Sequence, residues 1–240
     1  MTVSPLGKME IINLLAGKHG LKNYLEICTT VTGNAHGRLD RALFEAPLRL
    51  MYRCPDDFSD GLPIAWRVAG EDISGAVAQI REKVGQIDIC LVDGHHDYGN
   101  ARRDMEAAYG LLGPDGIMVV HDCLPTTRHL ARPEFSRGLW CGVSYKAFID
   151  FAIVHGPRAY LTVDCDYGCG IFFKSMGNFP RKERALLRLA KDLRWRWIRW
   201  QWARLGNNYD KAFSLLTKHK GGLLRLISPT LFLRYVEHGR

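Results

Sequence analysis

Two short apolar runs separated by one helical segment constrain the fold of this 240-residue chain more than any other feature. Residues 117–120 are continuously apolar and residues 87–92 are apolar apart from Asp88, as strands buried on both faces are. Between them, residues 98–112 have helical periodicity, Asp97 is placed to cap that helix, and GPDG at 113–116 is a turn signal. A buried strand, a helix and a second buried strand form a βαβ unit, which predicts parallel pairing of the two strands.

The same alternation extends along most of the chain. Further strands are predicted at 23–27, 48–53, 63–69, 160–163 and 170–174, and further helices at 7–18, 73–84 and 144–154. The last two strands are joined by only six residues, which is too short for a parallel crossover, so they should pair antiparallel. The sequence therefore predicts an α/β fold: a doubly wound, seven-stranded, mainly parallel sheet with one antiparallel strand. Such sheets bind ligands at the carboxyl ends of their strands.

A basic C-terminal extension follows this domain, so we divide the chain into residues 1–178 and 179–240. Residues 180–240 hold 15 Lys+Arg against 4 Asp+Glu, although the whole chain carries a net charge of only +8. We predict one long helix at 182–205 and two shorter ones. An apolar stripe on the long helix contains Leu186, Leu189, Leu193, Trp197 and Trp200, and a wider band adds Leu187, Trp195, Ile198, Trp202 and Leu205.

Three partners suit such a helix. The first is the chain's own domain or a second copy in a homodimer. The second is the anionic face of a membrane, which a mixture of Trp and Arg favours. Nucleic acid is the third, but no recognition motif supports it, and we expect no nucleic-acid partner.

The cysteines and the absence of targeting signals bear on the compartment. The sequence has no apolar run of the roughly 18 residues that a membrane span needs, and its first 20 residues lack a signal-peptide pattern. The seven cysteines are odd in number and show no zinc-ribbon spacing. We expect reduced, mostly buried thiols in a cytoplasmic protein, located at the inner membrane face if the extension binds lipid.

Carboxylates and imidazoles cluster where the two central strands end. Asp93 ends one strand, His121 and Asp122 end the next, and His95 and His96 follow the first. Neighbouring strands lie about 4.8 Å apart, so we expect both carboxylates to meet at one edge of the sheet. Such a set can hold a divalent cation or supply a general base. His96 is expected to face solvent or to lie behind the cluster, because successive residues tend to point apart.

These residues also carry a resemblance to a known family. IDICLVDGHHDYGNARRDMEAAYGLLGPDGIMVVHDC resembles the class I S-adenosylmethionine-dependent methyltransferases, in particular the macrocin-type O-methyltransferases, which pair a DG-H-Y strand end with a GG-HDC strand end. NYLEICTTVTG is similar to that family's first cofactor motif, and LTVDCDYGCGIF to its closing hairpin. The resemblance covers roughly residues 20–175 and implies a Rossmann-like sheet.

The resemblance implies a set of site residues. S-adenosylmethionine would contact Glu26, Cys28, Gly33, Cys54, Asp56, Asp72, Ile73 and Asp93. Asp93, His121 and Asp122 would bind Mg²⁺, and His95 would act as the base beside Asp93. Two positions depart from the family: Cys28 replaces a glycine, and Cys54 stands where the family has an acidic residue, with Asp56 two residues later.

The activity implied is S-adenosylmethionine-dependent O-methylation of a hydroxyl on a small molecule or a saccharide, with a divalent metal or with His95 alone. Two alternatives remain open from the sequence. Cys28 and Cys54 favour a non-catalytic methyltransferase-like binding or scaffold protein. A metal-dependent hydrolase on the same scaffold would not need the loop from Glu26 to Gly33.

Overall fold

Strands and helices alternate through most of the chain, as the βαβ pattern predicts. The computed structural model describes residues 6–32, 35–156, 159–175, 177–178 and 193–238. The strands are β1 (Tyr24–Thr29), β2 (Leu48–Tyr52), β3 (Trp66–Val68), β4 (Ile87–Asp93), β5 (Leu112–Val120), β6 (Tyr160–Val163), β7 (Cys169–Phe173) and β8 (Leu226–Ile227). The helices are α1 (Lys8–His19), α2 (Ser74–Lys83), α3 (Tyr98–Leu111), α4 (Ser144–His155), α5 (Leu193–Ala203), α6 (Tyr209–Leu223) and α7 (Pro229–His238).

All eight strands of the described residues form one sheet, in the order β3-β2-β1-β4-β5-β7-β6-β8. Every neighbouring pair is parallel except the two that involve β7. The predicted doubly wound sheet with one antiparallel strand is confirmed. The winding direction switches between β1 and β4, so their carboxyl ends flank the place where sheets of this type bind ligands.

The apolar runs are explained by burial of both sheet faces. In β4, Ile89 and Leu91 pack toward α1 and α7, whereas Cys90 and Val92 pack into a second core with α2 through α6. Because alternate side chains point to opposite faces, both sets must be apolar.

Two details differ from the sequence prediction. The GPDG segment lies within β5 rather than in a separate turn, and it forms an irregularity in the pairing with β4: Ile87 pairs with Leu112, but Ile89 pairs with Ile117. The prediction of seven strands was also incomplete, because β8 adds an eighth. A two-residue strand has no periodicity that a sequence could reveal.

The described part of the C-terminal extension packs onto the domain. Strand β8 pairs in parallel with β6, and α7 lies against α1, where Lys18 Nζ donates to the Val236 carbonyl at 3.0 Å and His19 Nε2 lies 2.8 Å from the Tyr235 hydroxyl. No helix among the described residues is long and apolar enough to cross a bilayer.

The face of α5 that packs on the domain is not the one that was predicted as the apolar stripe. Ile198 and Trp202 are buried, whereas Trp197 and Trp200 are about half exposed. The indole Nε1 of Trp202 donates to Asp150 Oδ1 at 2.6 Å, which fixes the helix to α4. The stripe was misread because α5 alternates Trp and Arg so densely that apolar spacing alone does not single out one face. Leu186, Leu187 and Leu189 lie outside the described residues.

We predict that Trp202→Phe lowers the free energy of unfolding by about 1–2 kcal/mol, because it keeps the ring but leaves Asp150 without one of its donors. Trp200→Phe is the matched control, since that ring is exposed, and should change it by less than about 0.5 kcal/mol. Urea titration followed by circular dichroism measures both. Equal losses would contradict the role of the Trp202–Asp150 hydrogen bond.

Candidate active site

The carboxyl ends of β4 and β5 bring two aspartates together. Asp93 is the last residue of β4, and Asp122 lies two residues beyond β5. Asp122 has φ of 59°, a left-handed conformation that Asp tolerates better than most residues. This turn places Asp122 Oδ2 3.2 Å from His96 Nδ1 and 3.4 Å from His121 Nδ1.

Asp93 is the centre of the cluster. Its side chain is fully buried, Oδ2 contacts Lys8 Nζ at 2.5 Å, and Oδ1 lies 3.4 Å from His96 Nε2 and 3.3 Å from His121 Nδ1. Burial raises the pKa of this carboxyl, but the positive charges of Lys8 and His121 outweigh burial and hold the pKa well below its ordinary value. Asp93 is therefore an ionised carboxylate inside the protein.

His96 neither faces solvent nor lies behind the cluster, so both alternatives expected for it were wrong. The ring is buried, stacks on Trp140 with centroids 5.4 Å apart, and lies between both aspartates. Burial lowers its pKa, but the hydrogen bond to Asp93 and the charges of Asp122 and Asp93 raise it above the ordinary value. The loop before α4 holds it there: a Cβ on Gly142, whose φ is 57°, would lie 2.2 Å from the His96 carbonyl oxygen.

His121 connects the aspartates to the β6–β7 turn. Its Nε2 lies 3.3 Å from Asp166 Oδ2, and the same carboxylate oxygen accepts from the Lys8 backbone N–H at 3.1 Å. Burial lowers the pKa of His121, but Asp93 and Asp122 raise it well above the ordinary value. The hydrogen bond from His121 lowers the pKa of Asp166 to about 2.

His95 lies at the side of the cluster and is held by two polar contacts, one to its ring and one to its backbone. Its Nδ1 is 2.6 Å from Asp97 Oδ2, and its backbone N–H donates to the Tyr52 hydroxyl at 2.5 Å. Tyr52 in turn donates to the buried Asp104 at 2.8 Å. The imidazole packs edge-on against Trp140, with ring centroids 5.0 Å apart. No hydrogen bond occupies Nε2 within the part of the chain that the structure describes.

A cavity of about 290 Å³ opens over these groups. The polar residues that line it include Lys8, Thr29, Thr32, Asp93, His95, His96, His121, Asp122 and Asp166. Its mouth is apolar: Val31, Phe135 and Leu139 line it and are 75%, 52% and 66% exposed. The cavity therefore combines a charged floor with a hydrophobic rim, which is the usual character of a small-molecule site.

The residues assigned to the cofactor are distributed differently. Asp93 lines the cavity, but Glu26, Cys28, Cys54, Asp56, Asp72 and Ile73 do not, and Gly33 lies outside the described residues. Cys28 and Cys54 instead form a small apolar cluster with Met51. Asp56 is exposed, and Asp72 accepts a hydrogen bond from the Ser74 N–H at the start of α2, at 2.9 Å.

Glu26 is the assigned cofactor residue with unused hydrogen-bonding capacity. Its side chain is fully buried, and Oε2 contacts the Tyr24 hydroxyl at 3.3 Å and His36 Nδ1 at 3.4 Å. Its Oε1 has no hydrogen-bond partner among the described residues. A buried carboxylate oxygen without a donor is costly, so a ligand that donates a hydrogen bond there would be stabilised.

Asp93, His96 and Asp122 each offer an atom of a kind that binds divalent cations, and these atoms lie within 4.8 Å of one another. The sequence assigned His121 rather than His96 to this set. Sequence reasoning also missed Lys8, Asp97 and Asp166. Lys8 and Asp166 are far from Asp93 in the sequence, and their local sequences gave no sign that they belong to the site. Asp97 was recognised only as the residue that caps α3.

Residues 15–123 match the family model described as a methyltransferase domain, which spans β1 through β5 and ends beside Asp122. A search of curated proteins finds no match.

Solved structures with similar folds include three methyltransferases. The O-methyltransferase from Bacillus cereus, in complex with SAH, is 16% identical over 71% of this chain and 82% of that chain, with a TM-score of 0.44. TomG from Streptomyces achromogenes, in complex with SAM, is 11% identical over 68% of this chain and 78% of TomG, with a TM-score of 0.46. The MycE methyltransferase of the mycinamycin pathway, in complex with Mg and SAH, is 19% identical over 68% of this chain and 48% of MycE, with a TM-score of 0.40.

We predict a pH-dependent loss of stability in Asp166→Asn. The lowered pKa of Asp166 means that its ionised form stabilises the fold above about pH 4 and that this contribution disappears as the pH falls through about 2. The variant should be less stable by about 1 kcal/mol near neutral pH, a value discounted because the side chain is 33% exposed, and the difference should vanish near pH 2.

Thermal melts of both proteins across pH 2–7 measure this difference. Asp164→Asn is the control, because Asp164 is exposed in the same turn and should show no such convergence. A constant gap between wild type and Asp166→Asn at every pH would show that the pairing of Asp166 is not electrostatic.

Proposed function

We propose that this chain is a class I S-adenosylmethionine-dependent methyltransferase, as its match to a methyltransferase-domain model over residues 15–123 supports. We propose further that it transfers the methyl group of S-adenosylmethionine to a hydroxyl oxygen of a small molecule or saccharide bound in the strand-end cavity. One observation supports the acceptor chemistry most strongly. An imidazole held by a carboxylate, His95 with Asp97, lies in the same cavity as the Asp93 cluster.

His95 is suited to remove the hydroxyl proton. When Nδ1 donates its proton to Asp97, the lone pair is on Nε2, which no described residue occupies. An alcohol is a weak nucleophile until its proton is removed, so a positioned base is needed in the transition state. Asp97 also stabilises the imidazolium that forms when His95 accepts the proton. The Tyr52 hydroxyl holds the backbone of His95 and so sets the position of the ring.

The charged floor of the cavity would orient the acceptor. Methyl transfer is an in-line displacement, so alignment of the acceptor oxygen with the methyl group supplies much of the rate enhancement. Lys8 lines the floor and offers a donor, while Asp93 and Asp122 offer acceptors. A divalent cation on Asp93, His96 and Asp122 would lower the pKa of a bound hydroxyl, although imidazole is a softer ligand than Mg²⁺ prefers.

The hydrophobic rim favours an acceptor that has an apolar or aromatic part next to its hydroxyl. Val31, Phe135 and Leu139 lie exposed at the mouth, and burying them against the acceptor would contribute about 25 cal/mol for each Å² removed from water. Phe135, whose ring is half exposed at the mouth, also offers an aromatic surface against which the C–H face of a sugar can pack. A phenol or a glycosylated small molecule has both features.

We place the methionine end of the cofactor near Glu26, whose unpaired Oε1 would accept a hydrogen bond from the cofactor's ammonium group. Glu26→Gln should then weaken S-adenosylmethionine binding at least tenfold, about 1.4 kcal/mol, because the charge-assisted hydrogen bond is lost. Isothermal titration calorimetry measures this affinity. Glu45→Gln, at an exposed carboxylate, is the control. Unchanged affinity in a folded Glu26→Gln protein would refute this placement.

The assignment of His95 is tested by separating turnover from cofactor binding. Incubation with methyl-labelled S-adenosylmethionine and a panel of phenols and glycosides identifies an acceptor. His95→Gln should then lower turnover by roughly 10²- to 10⁴-fold, the usual effect of losing a general base, with cofactor affinity nearly unchanged. His129→Gln, at an exposed histidine, should retain full turnover.

Two outcomes would count against the proposal. Near-normal turnover of His95→Gln across pH 6–9 would exclude His95 as the base. Cofactor binding without transfer to any acceptor of the panel would favour a methyltransferase-like binding protein.

A further inference from the structure

The Asp93 cluster contains more carboxylates than a buried site can keep without a cation. Asp93, Asp122 and Asp166 are all within 3.5 Å of an imidazole nitrogen of His96 or His121. A buried carboxylate that lacks a counter-charge is strongly destabilising, so a positive group must be close to Asp93 whenever the protein is folded.

Lys8 supplies a positive charge there in addition to the imidazoles of His96 and His121. Its Nζ contacts Asp93 Oδ2 at 2.5 Å, and the side chain is 19% exposed while that of Asp93 is fully buried. A lysine carries an ammonium at neutral pH, and direct contact with the Asp93 carboxylate favours that charged form. Among the described residues, no other lysine or arginine contacts Asp93.

The position of Lys8 is fixed by its backbone. Lys8 is the first residue of α1, and its N–H donates to Asp166 Oδ2 at 3.1 Å. The preceding Gly7 N–H donates to Glu10 Oε2 at 3.0 Å, and Met9 and Ile12 bury the helix against the sheet. The ammonium is therefore delivered from a rigid helix end rather than from a mobile surface chain.

A divalent cation and this ammonium would compete for the same carboxylate. The metal-compatible group of Asp93, His96 and Asp122 includes the residue whose Oδ2 already contacts Lys8. Both oxygens of Asp93 are in contact with nitrogen atoms, so a metal would have to displace at least one of these partners and tolerate a nearby like charge. The lysine thus changes which cation the site accepts.

We propose that Lys8 is a built-in cation that replaces a divalent metal at the Asp93–His96–Asp122 group, so that this site acts without metal and becomes a metal site when the lysine charge is removed. The role of this cation in orienting the acceptor rests on the proposed function above, but its competition with metal does not. In that reaction the Lys8 ammonium would stabilise the negative charge that develops on the acceptor oxygen.

The test is Mn²⁺ binding to wild type, Lys8→Met, Lys8→Arg and Lys22→Met, measured by calorimetry and by the electron paramagnetic resonance of free Mn²⁺. Lys8→Met keeps the length of the side chain without its charge, Lys8→Arg keeps the charge, and Lys22 is an exposed control. We expect Lys8→Met to bind one Mn²⁺ at least tenfold more tightly than the other three proteins. Adding Asp122→Asn to Lys8→Met should abolish the gain.

Wild type that binds Mn²⁺ as tightly as Lys8→Met would overturn the proposal. If Lys8→Met does not fold, wild type provides the second arm: treatment with EDTA should leave its methyl transfer and its S-adenosylmethionine affinity unchanged. A requirement for added metal there would also overturn the proposal. Absence of transfer under every condition would contradict the proposed function instead, and the Mn²⁺ titrations would remain decisive for Lys8.

Discussion

The ion pair between Lys8 and the buried Asp93 is the interaction on which the arrangement of the site depends. Asp93 ends the central strand β4, and Lys8 begins α1, which packs on one face of the same sheet. A charged carboxylate at this depth is tolerated only because an ammonium and two imidazoles surround it. Asp122, Asp166 and the loop that carries Trp140 hold these partners in place. Asp122 contacts both imidazoles, Asp166 contacts His121 and the Lys8 N–H, and the Trp140 carbonyl contacts His96.

The sequence predicts the sheet well because burial on two faces imposes a simple pattern. Residues such as Ile89 and Val92 must be apolar whichever core they enter, and the spacing of the runs implies parallel pairing. The proximity of Asp93 and Asp122 follows from the same geometry, because the ends of neighbouring parallel strands lie at one edge of the sheet.

The rest of the site could not be predicted, because it depends on contacts between distant segments. Lys8 lies 85 residues from Asp93, and nothing in the local sequence GKME distinguishes it from a surface lysine. His96 was misjudged because alternation applies to strands, whereas a loop whose residues Gly142 and Val143 pack on its backbone can turn a side chain inward. Asp166 and Tyr167 both have positive φ in the β6–β7 turn, a conformation that composition does not reveal.

The contact between α1 and α7 has a consequence for synthesis of the protein. Helix α1, which carries Lys8, is covered in part by Phe232 and Tyr235 of α7, more than 200 residues later in the chain. On the ribosome, the strands from β1 to β5 can pair before α7 has emerged, but the face on which α1 lies is not completed until then. The packing of α1, and with it the position of Lys8, would thus be completed only after α7 has left the ribosome, and until then the nascent chain would hold Asp93 in a looser setting.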